Sequence, residues 1–268
     1  MNRSLGFVSN SIMPSGGENR KMENPKRIEE ISLNGWPALQ TLLYDGWLLR
    51  FADGYSKRSN SVNPLYGSAY EVDEKIAYCE SLYKERGQAA VFKVTPFAEP
   101  AGLDAKLEER GYAFVDHTLV KTASLLDLEP STYEDVVIAT ELTSYWLDTI
   151  AELQGLNADQ KETTRRMMEG QPLRKAFVVV RHEGAPAACG MAVIEQGYAG
   201  LYDIVTDPKL RGRGYGEILT RHLLGWAKEQ GAERGYLLVV KNNEAANRLY
   251  DKFGFRQLYD YWYRVKKV

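Results

Sequence analysis

Residues 205–216 read Val205-Thr206-Asp207-Pro208-Lys209-Leu210-Arg211-Gly212-Arg213-Gly214-Tyr215-Gly216. An apolar, partly β-branched run at 200–206 predicts a strand before the turn, and apolar residues at helical spacing over 215–230 predict a helix after it. Glycines in such a turn allow positive φ and a close approach of the backbone to a ligand. Free N–H groups at the start of a helix favour an anion. The stretch therefore predicts a phosphate-binding turn.

The spacing of the glycines decides which phosphate-binding turn this is. The dinucleotide pattern G-x-G-x-x-G fails because Glu217 stands at its third glycine, and no Gly-Lys-Ser/Thr follows as a P-loop requires. The pattern R-x-x-G-x-G is met by Arg211, Gly214 and Gly216. It resembles the pyrophosphate loop of the GNAT superfamily of N-acetyltransferases.

A second stretch, residues 243–255, resembles the late helix of GNAT domains, N-x-x-A-x-x-L-Y-x-x-x-G-F, at every fixed position. Asn243 is also a good N-cap and Gly254 a good C′ glycine, whatever the family. In the simplest interpretation Tyr250 is a packed aromatic. The resemblance implies instead that its hydroxyl meets the sulfur of coenzyme A as a general acid, and a tyrosine is protonated at neutral pH.

The resemblance further implies acetyl-CoA as co-substrate and no metal. Backbone N–H groups at the end of the strand would hold the pantetheine arm and polarise the thioester carbonyl, and the amides of the turn would hold the phosphates. The expected cofactor-binding residues are Ile204, Val205, Thr206, Arg211, Gly212, Arg213, Gly214, Tyr215, Gly216, Glu217 and Asn243.

The general base is less sharply indicated. Asp203 is the carboxylate nearest to the cofactor strand, and Asp260 on the last predicted strand is the second candidate. Either is as readily an ordinary acid at a strand end, and many GNAT enzymes use an ordered water chain. We take Asp203 and Tyr250 as the expected catalytic residues.

Composition limits the class of protein. The net charge of −2 argues against a dedicated nucleic-acid binder. From Thr206 onward, thirteen Lys and Arg stand against seven Asp and Glu, which suits an anionic co-substrate. No apolar stretch is long enough to cross a bilayer, and residues 1–24 have no signal-peptide core and are expected to be a flexible tail. Two single, distant cysteines, Cys79 and Cys189, indicate buried free thiols and a cytoplasmic location.

The two halves of the chain repeat one order of elements. The helix, strand, helix and strand expected at 71–86, 89–94, 102–112 and 115–125 match those expected over 215–265. Alignment of the two halves puts Gly67, Tyr70 and Val72 in the place of the phosphate turn, and Leu107 in the place of Tyr250. This pairing resembles tandem GNAT proteins of the mycothiol-synthase kind, in which one module has degenerated.

The predicted fold is α/β, with two GNAT-like modules that are each a mixed, mostly antiparallel sheet flanked by helices. We expect a degenerate module over 25–128 and a catalytic module over 129–268. Helices are predicted at 144–156, capped by Ser144, and at 158–169, and they would form a wall of the acceptor site. Aromatic candidates for that site are Tyr145, Trp146, Tyr202 and Trp262.

A hairpin turning at Asp53-Gly54 is predicted within residues 45–62. Its polar second strand is best explained as a soluble edge strand, and the alternative is that Arg58 and Asn60 face an acceptor channel between the modules.

These features predict an acetyl-CoA-dependent N-acetyltransferase, in which a primary amine attacks the thioester directly. The alternative is a non-catalytic acyl-CoA-binding sensor. The expected partner is a small-molecule or peptide amine acceptor, with neither nucleic acid nor membrane, and the protein would be a monomer or homodimer.

Overall fold

The computed structural model of the chain describes residues 23–67 and 69–266. The predicted tail thus lies outside the described residues, except for its last two. Seven α-helices are present in the described part of the chain: α1 (Pro25–Gly35), α2 (Val72–Lys84), α3 (Leu103–Glu109), α4 (Ser144–Gln154), α5 (Ala158–Glu169), α6 (Tyr215–Glu229) and α7 (Glu244–Lys252).

Eleven strands of these described residues join in a single continuous sheet. They are β1 (Gln40–Tyr44), β2 (Trp47–Phe51), β3 (Val62–Pro64), β4 (Val91–Val94), β5 (Ala113–Ser124), β6 (Val136–Ala139), β7 (Arg174–His182), β8 (Ala185–Glu195), β9 (Tyr198–Thr206), β10 (Arg234–Val240) and β11 (Arg256–Val265). Only the β3–β4 and β9–β10 pairs described are parallel. The predicted fold class, a mixed and mostly antiparallel sheet flanked by helices, is confirmed.

The strand order is β1-β2-β3-β4-β11-β5-β10-β9-β8-β7-β6, and its centre joins the two halves of the chain. The last strand of the chain, β11, pairs with β4 and with β5. In turn β5, the last strand of the first half, pairs with β10 of the second. Each half therefore places its final strand beside the other half. The division into modules at 128/129 stays a prediction, and the sheet hydrogen bonds run across it.

Two layers of helices cover the sheet, because side chains alternate between the faces of each strand. In β8, Cys189, Met191 and Val193 belong to a core shared with α1, α4 and α5. On the opposite face Ala192 and Ile194 pack in a core with α6. A third core holds α2 and α3 against the first half of the sheet. In residues 23–67 and 69–266, no helix is both long and apolar enough to cross a membrane.

Two local predictions are wrong. The first hairpin turns at Asp45-Gly46, where Tyr44 pairs with Trp47, and not at Asp53-Gly54. Residues 52–61 form a loop instead of a second strand. The N-cap of α4 is Thr143, whose hydroxyl accepts from the Trp146 amide, and Ser144 is the first helical residue.

Candidate active site

The turn between β9 and α6 presents unpaired donors. Gly212 and Gly214 adopt φ of +76° and +89°, which a side chain would strain. Among the hydrogen bonds of the described residues, none uses the backbone N–H groups of 211–216 as donors. Arg211 and Arg213 are exposed and form no ion pair with a described residue. The turn therefore offers an anion several free amides and two free cations.

Small size at Gly216 holds three elements close together. A Cβ built there would lie 3.3 Å from Thr206 Oγ1 of β9 and 3.4 Å from Leu249 Cδ2 of α7. The start of α6 is thus packed against the end of β9 and against α7. A Cβ there would already be in tight contact with Thr206 and in van der Waals contact with Leu249.

The sheet opens beside this turn. Strands β9 and β10 pair from Tyr198–Arg234 to Leu201–Leu237 and then separate, although β9 continues to Thr206 and β10 to Val240. The opening leads into a cleft of about 630 Å³. Its lining includes ten of the eleven expected cofactor-binding residues: Ile204, Val205, Thr206, Arg211, Gly212, Gly214, Tyr215, Gly216, Glu217 and Asn243. The eleventh, Arg213, is exposed on the same turn.

Tyr250 reaches this cleft from α7. Its side chain is buried, with the ring centroid 6.0 Å from that of Phe255. Burial raises the pKa of its hydroxyl above the ordinary value of 10.0. Among the described residues, no side chain or carbonyl accepts a hydrogen bond from that hydroxyl. It is a protonated donor with no partner in the protein.

Glu217 is the single acidic residue lining the cleft among the residues described. Lys252 Nζ lies 2.9 Å and Arg221 NH2 3.4 Å from its carboxylate. Hydrogen bonding to Lys252 holds the pKa of Glu217 below its usual value. Its charge is neutralised locally, so it does not oppose an anion at the turn.

Asp203 lies in a β-bulge of β9, between the Met191–Tyr202 and Cys189–Val205 pairs. Its φ of +52° is in the left-handed region, which is uncommon for a non-glycine residue. Gln154 Nε2 donates to Oδ1 over 3.2 Å, and Oδ2 is buried without a partner. Burial raises the pKa of this carboxyl to about 6, against the lowering effects of Gln154 and Arg58.

A second cavity of about 390 Å³ begins at Asp203. The residue after it, Ile204, lines the first cleft. Asp203 and Ile204 are the two residues of the bulge, so the bulge lies at the boundary between the two spaces. Loop 52–61, α4, α5 and β11 complete the second cavity, whose lining includes Trp36, Tyr55, Ser56, Lys57, Arg58, Asp116, Thr118, Gln154, Gln160, Asp203, Val240, Tyr261 and Tyr263.

The cleft fits coenzyme A chemically. A run of free amides with a net positive rim matches a pyrophosphate, and the separated edge of β9 offers backbone hydrogen bonds to an amide-containing arm. Within residues 23–67 and 69–266 no group of His, Cys, Asp and Glu side chains is arranged to hold a metal ion.

Comparison with known proteins agrees with this geometry. The family described as "Probable histone acetyltransferase Rv0428c C-terminal" matches residues 24–264. An uncharacterized N-acetyltransferase, YobR of Bacillus subtilis, is 32% identical over 252 residues, which cover 92% of this chain and 100% of that protein. The chain belongs to this acetyltransferase family. It is a GNAT-type acyltransferase, and membership favours an enzyme over a non-catalytic sensor.

Solved structures show the same fold. A GCN5-related N-acetyltransferase from Kribbella flavida aligns with a TM-score of 0.70 at 18% identity, covering 91% of this chain and 95% of that one. A tandem GNAT protein from the clavulanic acid biosynthesis pathway aligns with a TM-score of 0.57 at 17% identity, covering 72% and 69%.

Three other residues of this GNAT protein that the sequence suggested, Asp260, Trp146 and Tyr202, line neither the cleft nor the second cavity. Asp260 Oδ2 is 2.7 Å from His117 Nε2 and is absent from the linings described above. Trp146 and Tyr202 are buried in the core, where they bond Gly190 O and Tyr236 Oη. Asn243 does cap α7, since its side chain accepts from the Ala246 amide.

The second cavity was only partly foreseen. Gln154 and Gln160 come from the predicted wall helices, as expected. Arg58, given only as an alternative, does line the cavity, whereas Asn60 is turned into its own loop. No local pattern in the sequence points to Asp116, because its place in the same cavity lining as Asp203 depends on the pairing of β5 with β10 and β11.

Proposed function

We propose that this protein transfers an acetyl group from acetyl-CoA to a primary amine, with the cofactor in the cleft beside α6 and the acceptor in the cavity beside Asp203. Acetyl-CoA supplies a thioester, whose carbonyl carbon the amine attacks directly. A C–N bond forms, the C–S bond breaks, the amine loses a proton and the thiolate gains one.

Binding rests on the turn before α6 and on the separated end of β9. The amides of 211–217 and the rim cations would hold the phosphates, and Asn243 would contact the cofactor while it caps α7. Backbone N–H groups at the separated end of β9, among Ile204, Val205 and Thr206, would orient the pantetheine arm and stabilise negative charge on the carbonyl oxygen.

Asp203 would accept the proton of the amine. A carboxylate with a pKa raised to about 6 is a stronger base than an ordinary aspartate and is still mostly ionised at pH 7. Its unpartnered Oδ2 leaves room for an N–H donor from the acceptor. The bulge holds the carboxylate next to the residue that lines the cofactor cleft.

Tyr250 would donate a proton to the leaving thiolate. Burial keeps its hydroxyl protonated across the neutral range, and its single O–H is not used elsewhere among the described contacts.

The observation that carries the proposal is the juxtaposition at the bulge, where consecutive residues line the two cavities. The test is to incubate the protein with acetyl-CoA and a panel of primary amines, and to measure both thiol release and the acetylated amine by mass spectrometry. We expect equal amounts of thiol and N-acetyl product with at least one amine. Thiol release without any N-acetyl product, or no release at all, would contradict the proposal.

A further inference from the structure

Two oppositely charged side chains in the second cavity each have one buried atom without a partner among the described residues. Arg58 Nε and Asp203 Oδ2 are both buried, and neither has a hydrogen-bond partner among the described residues. Both side chains line the same cavity, yet they are not within ion-pair distance of each other. A buried polar atom without a partner costs free energy, so this arrangement points to a ligand that satisfies both.

The Arg58 guanidinium is held in a polar aromatic corner. Burial lowers its pKa, but the neighbouring hydroxyls of Tyr261 and Tyr263 act in the opposite sense, and the net shift is upward. The guanidinium is therefore a permanent cation in the cavity wall. The other cation in the lining, Lys57, already pairs with Asp116 over 2.9 Å.

Loop 52–61, which carries Arg58, is fixed by internal hydrogen bonds. The Asn60 side chain bonds Ala52 N at 2.7 Å, Gly54 N at 3.0 Å and Tyr55 O at 2.7 Å. Arg50 NH1 donates to the carbonyl of Arg58 itself over 2.9 Å. The loop is thus ordered before any ligand arrives, which lowers the entropy cost of binding.

The chemistry of the two unpaired groups defines the ligand. Asp203 requires a donor, which the acceptor amine supplies. Arg58 presents a planar fork of N–H donors, which a carboxylate matches best because it accepts two parallel charge-assisted bonds. An amine without an anionic group would leave Arg58 Nε buried without a partner.

We propose that Arg58 binds a carboxylate of the acceptor, and that the acceptor is a small amino acid or a related primary amine bearing a carboxylate. This inference rests on the proposed function. Loop 52–61 belongs to the first half of the chain, so the half that lacks the phosphate turn supplies acceptor recognition. A cavity of about 390 Å³ has room for one such molecule.

The test compares kcat/KM for matched acceptors with the wild-type protein: free amino acids, their carboxamides, the corresponding decarboxylated amines and dipeptides with the same first residue. We expect the best amino acid to exceed its carboxamide and its decarboxylated amine by about 100-fold, the range for loss of a buried charge pair. Dipeptides, whose carboxylate is displaced by a residue, are expected to be poor acceptors.

Variants then assign the effect to one side chain. Arg58→Gln should raise KM for the amino acid about 100-fold and leave the carboxamide unchanged, and Arg58→Lys should recover part of the loss. Arg165→Gln is the matched control, because its guanidinium pairs with Glu162 and Glu169 on the exposed face of α5. Wild-type affinity for acetyl-CoA and a cooperative unfolding transition of Arg58→Gln would show that the variant is folded.

Equal kcat/KM for acids and carboxamides in the wild-type protein would overturn the inference while leaving the proposed function intact. So would discrimination that survives in Arg58→Gln. No transfer to any primary amine, with acetyl-CoA still bound, would overturn the proposed function and this inference with it.

Discussion

The predicted alignment of the two halves matches the turn before α2 with the turn before α6, but the two turns differ in the use of their described amides. Before α2, the Asp45 carboxylate accepts from Ala69 N at 2.9 Å and from Tyr70 N at 3.0 Å. Lys75 Nζ lies 3.1 Å from the same carboxylate. The chain thus places its own anion where the second half leaves donors for a ligand.

The halves differ in the same way at the position of the expected acid. Tyr250 lines the cleft beside α6, whereas Leu107, which the predicted alignment places at this position, is fully buried in the core under α2 and α3. The comparison teaches that one packing pattern supports either a turn whose amides are free for a ligand or a turn whose amides are hydrogen-bonded within the protein. What changes is whether a carboxylate from the neighbouring hairpin reaches the helix start.

The largest expected effect distinguishes Asp203 from Asp260, the two candidate general bases. Asp203→Asn should lower kcat/KM at pH 7.5 by about 100-fold or more, since general-base catalysis contributes this much. In the wild-type protein kcat/KM should fall as pH decreases through about 6, because protonated Asp203 cannot accept a proton. The variant should lose this dependence in an initial-rate pH profile.

Asp260→Asn is the matched control, since Asp260 pairs with His117 and is in the lining of neither cavity. A normal rate for Asp203→Asn, with a low rate for Asp260→Asn, would exchange their roles.

A second effect tests the acid that distinguishes the halves. Tyr250→Phe should lower kcat about 30- to 100-fold, because the thiolate would leave without a positioned proton, and affinity for acetyl-CoA should change little. Tyr112→Phe is the control from the first half, where the hydroxyl donates to Glu80 over 3.0 Å. Similar kcat values for the two variants would remove Tyr250 from the mechanism.

A third prediction concerns the free energy of unfolding, which the buried carboxylate of Asp203 lowers. The folded pKa of Asp203, about 6, lies above the ordinary 3.8, so this carboxyl lowers the free energy of unfolding as pH rises from about 4 to about 6, and the loss is then constant at higher pH. Asp203→Asn should therefore raise the free energy of unfolding at pH 7.5 by about 1–3 kcal/mol. At pH 3.5 the gain should vanish. Urea unfolding at both pH values measures this gain. A variant less stable than the wild-type protein at pH 7.5 would contradict the cost assigned to the buried Asp203 carboxylate.

The smallest expected effect concerns the turn before α2, whose amides bond the Asp45 carboxylate. Asp45→Asn should lower the melting temperature at pH 7 by a few degrees, because Lys75 is left buried without a counter-charge. Hydrogen bonds from Ala69 and Tyr70 lower the pKa of Asp45, so its contribution is present above its unfolded pKa and is lost as pH falls. No second coenzyme A site should appear, since Gly67, Tyr70 and Val72 stand in this half where Arg211, Gly214 and Gly216 form the phosphate turn. Two sites per chain in the variant would break the comparison.

Local signals were sufficient where one motif specifies one element. The predicted helix 215–230 is observed at Tyr215–Glu229, and the predicted helix 158–169 at Ala158–Glu169. The residues of 204–217 that line the cleft could be predicted because a strand, a turn and a helix start are adjacent in sequence.

Long-range features could not be obtained in this way. Two Asp-Gly pairs lie eight residues apart, and only packing decides that the first makes the hairpin while Asn60 ties the second into a loop. The insertion of β11 between β4 and β5 leaves no local pattern. The environment of Asp203 depends on loop 52–61, which lies about 150 residues earlier in the chain.

The most direct test of a single working cofactor turn is calorimetric titration of desulfo-CoA into the wild-type protein, Gly214→Glu and Gly231→Glu. The two glycines share a φ of +89° with open space around the Cβ position, but only Gly214 faces the cleft. We predict one site per chain in the wild-type protein and in Gly231→Glu, and none in Gly214→Glu. Unchanged binding in Gly214→Glu, or two sites per wild-type chain, would contradict the account.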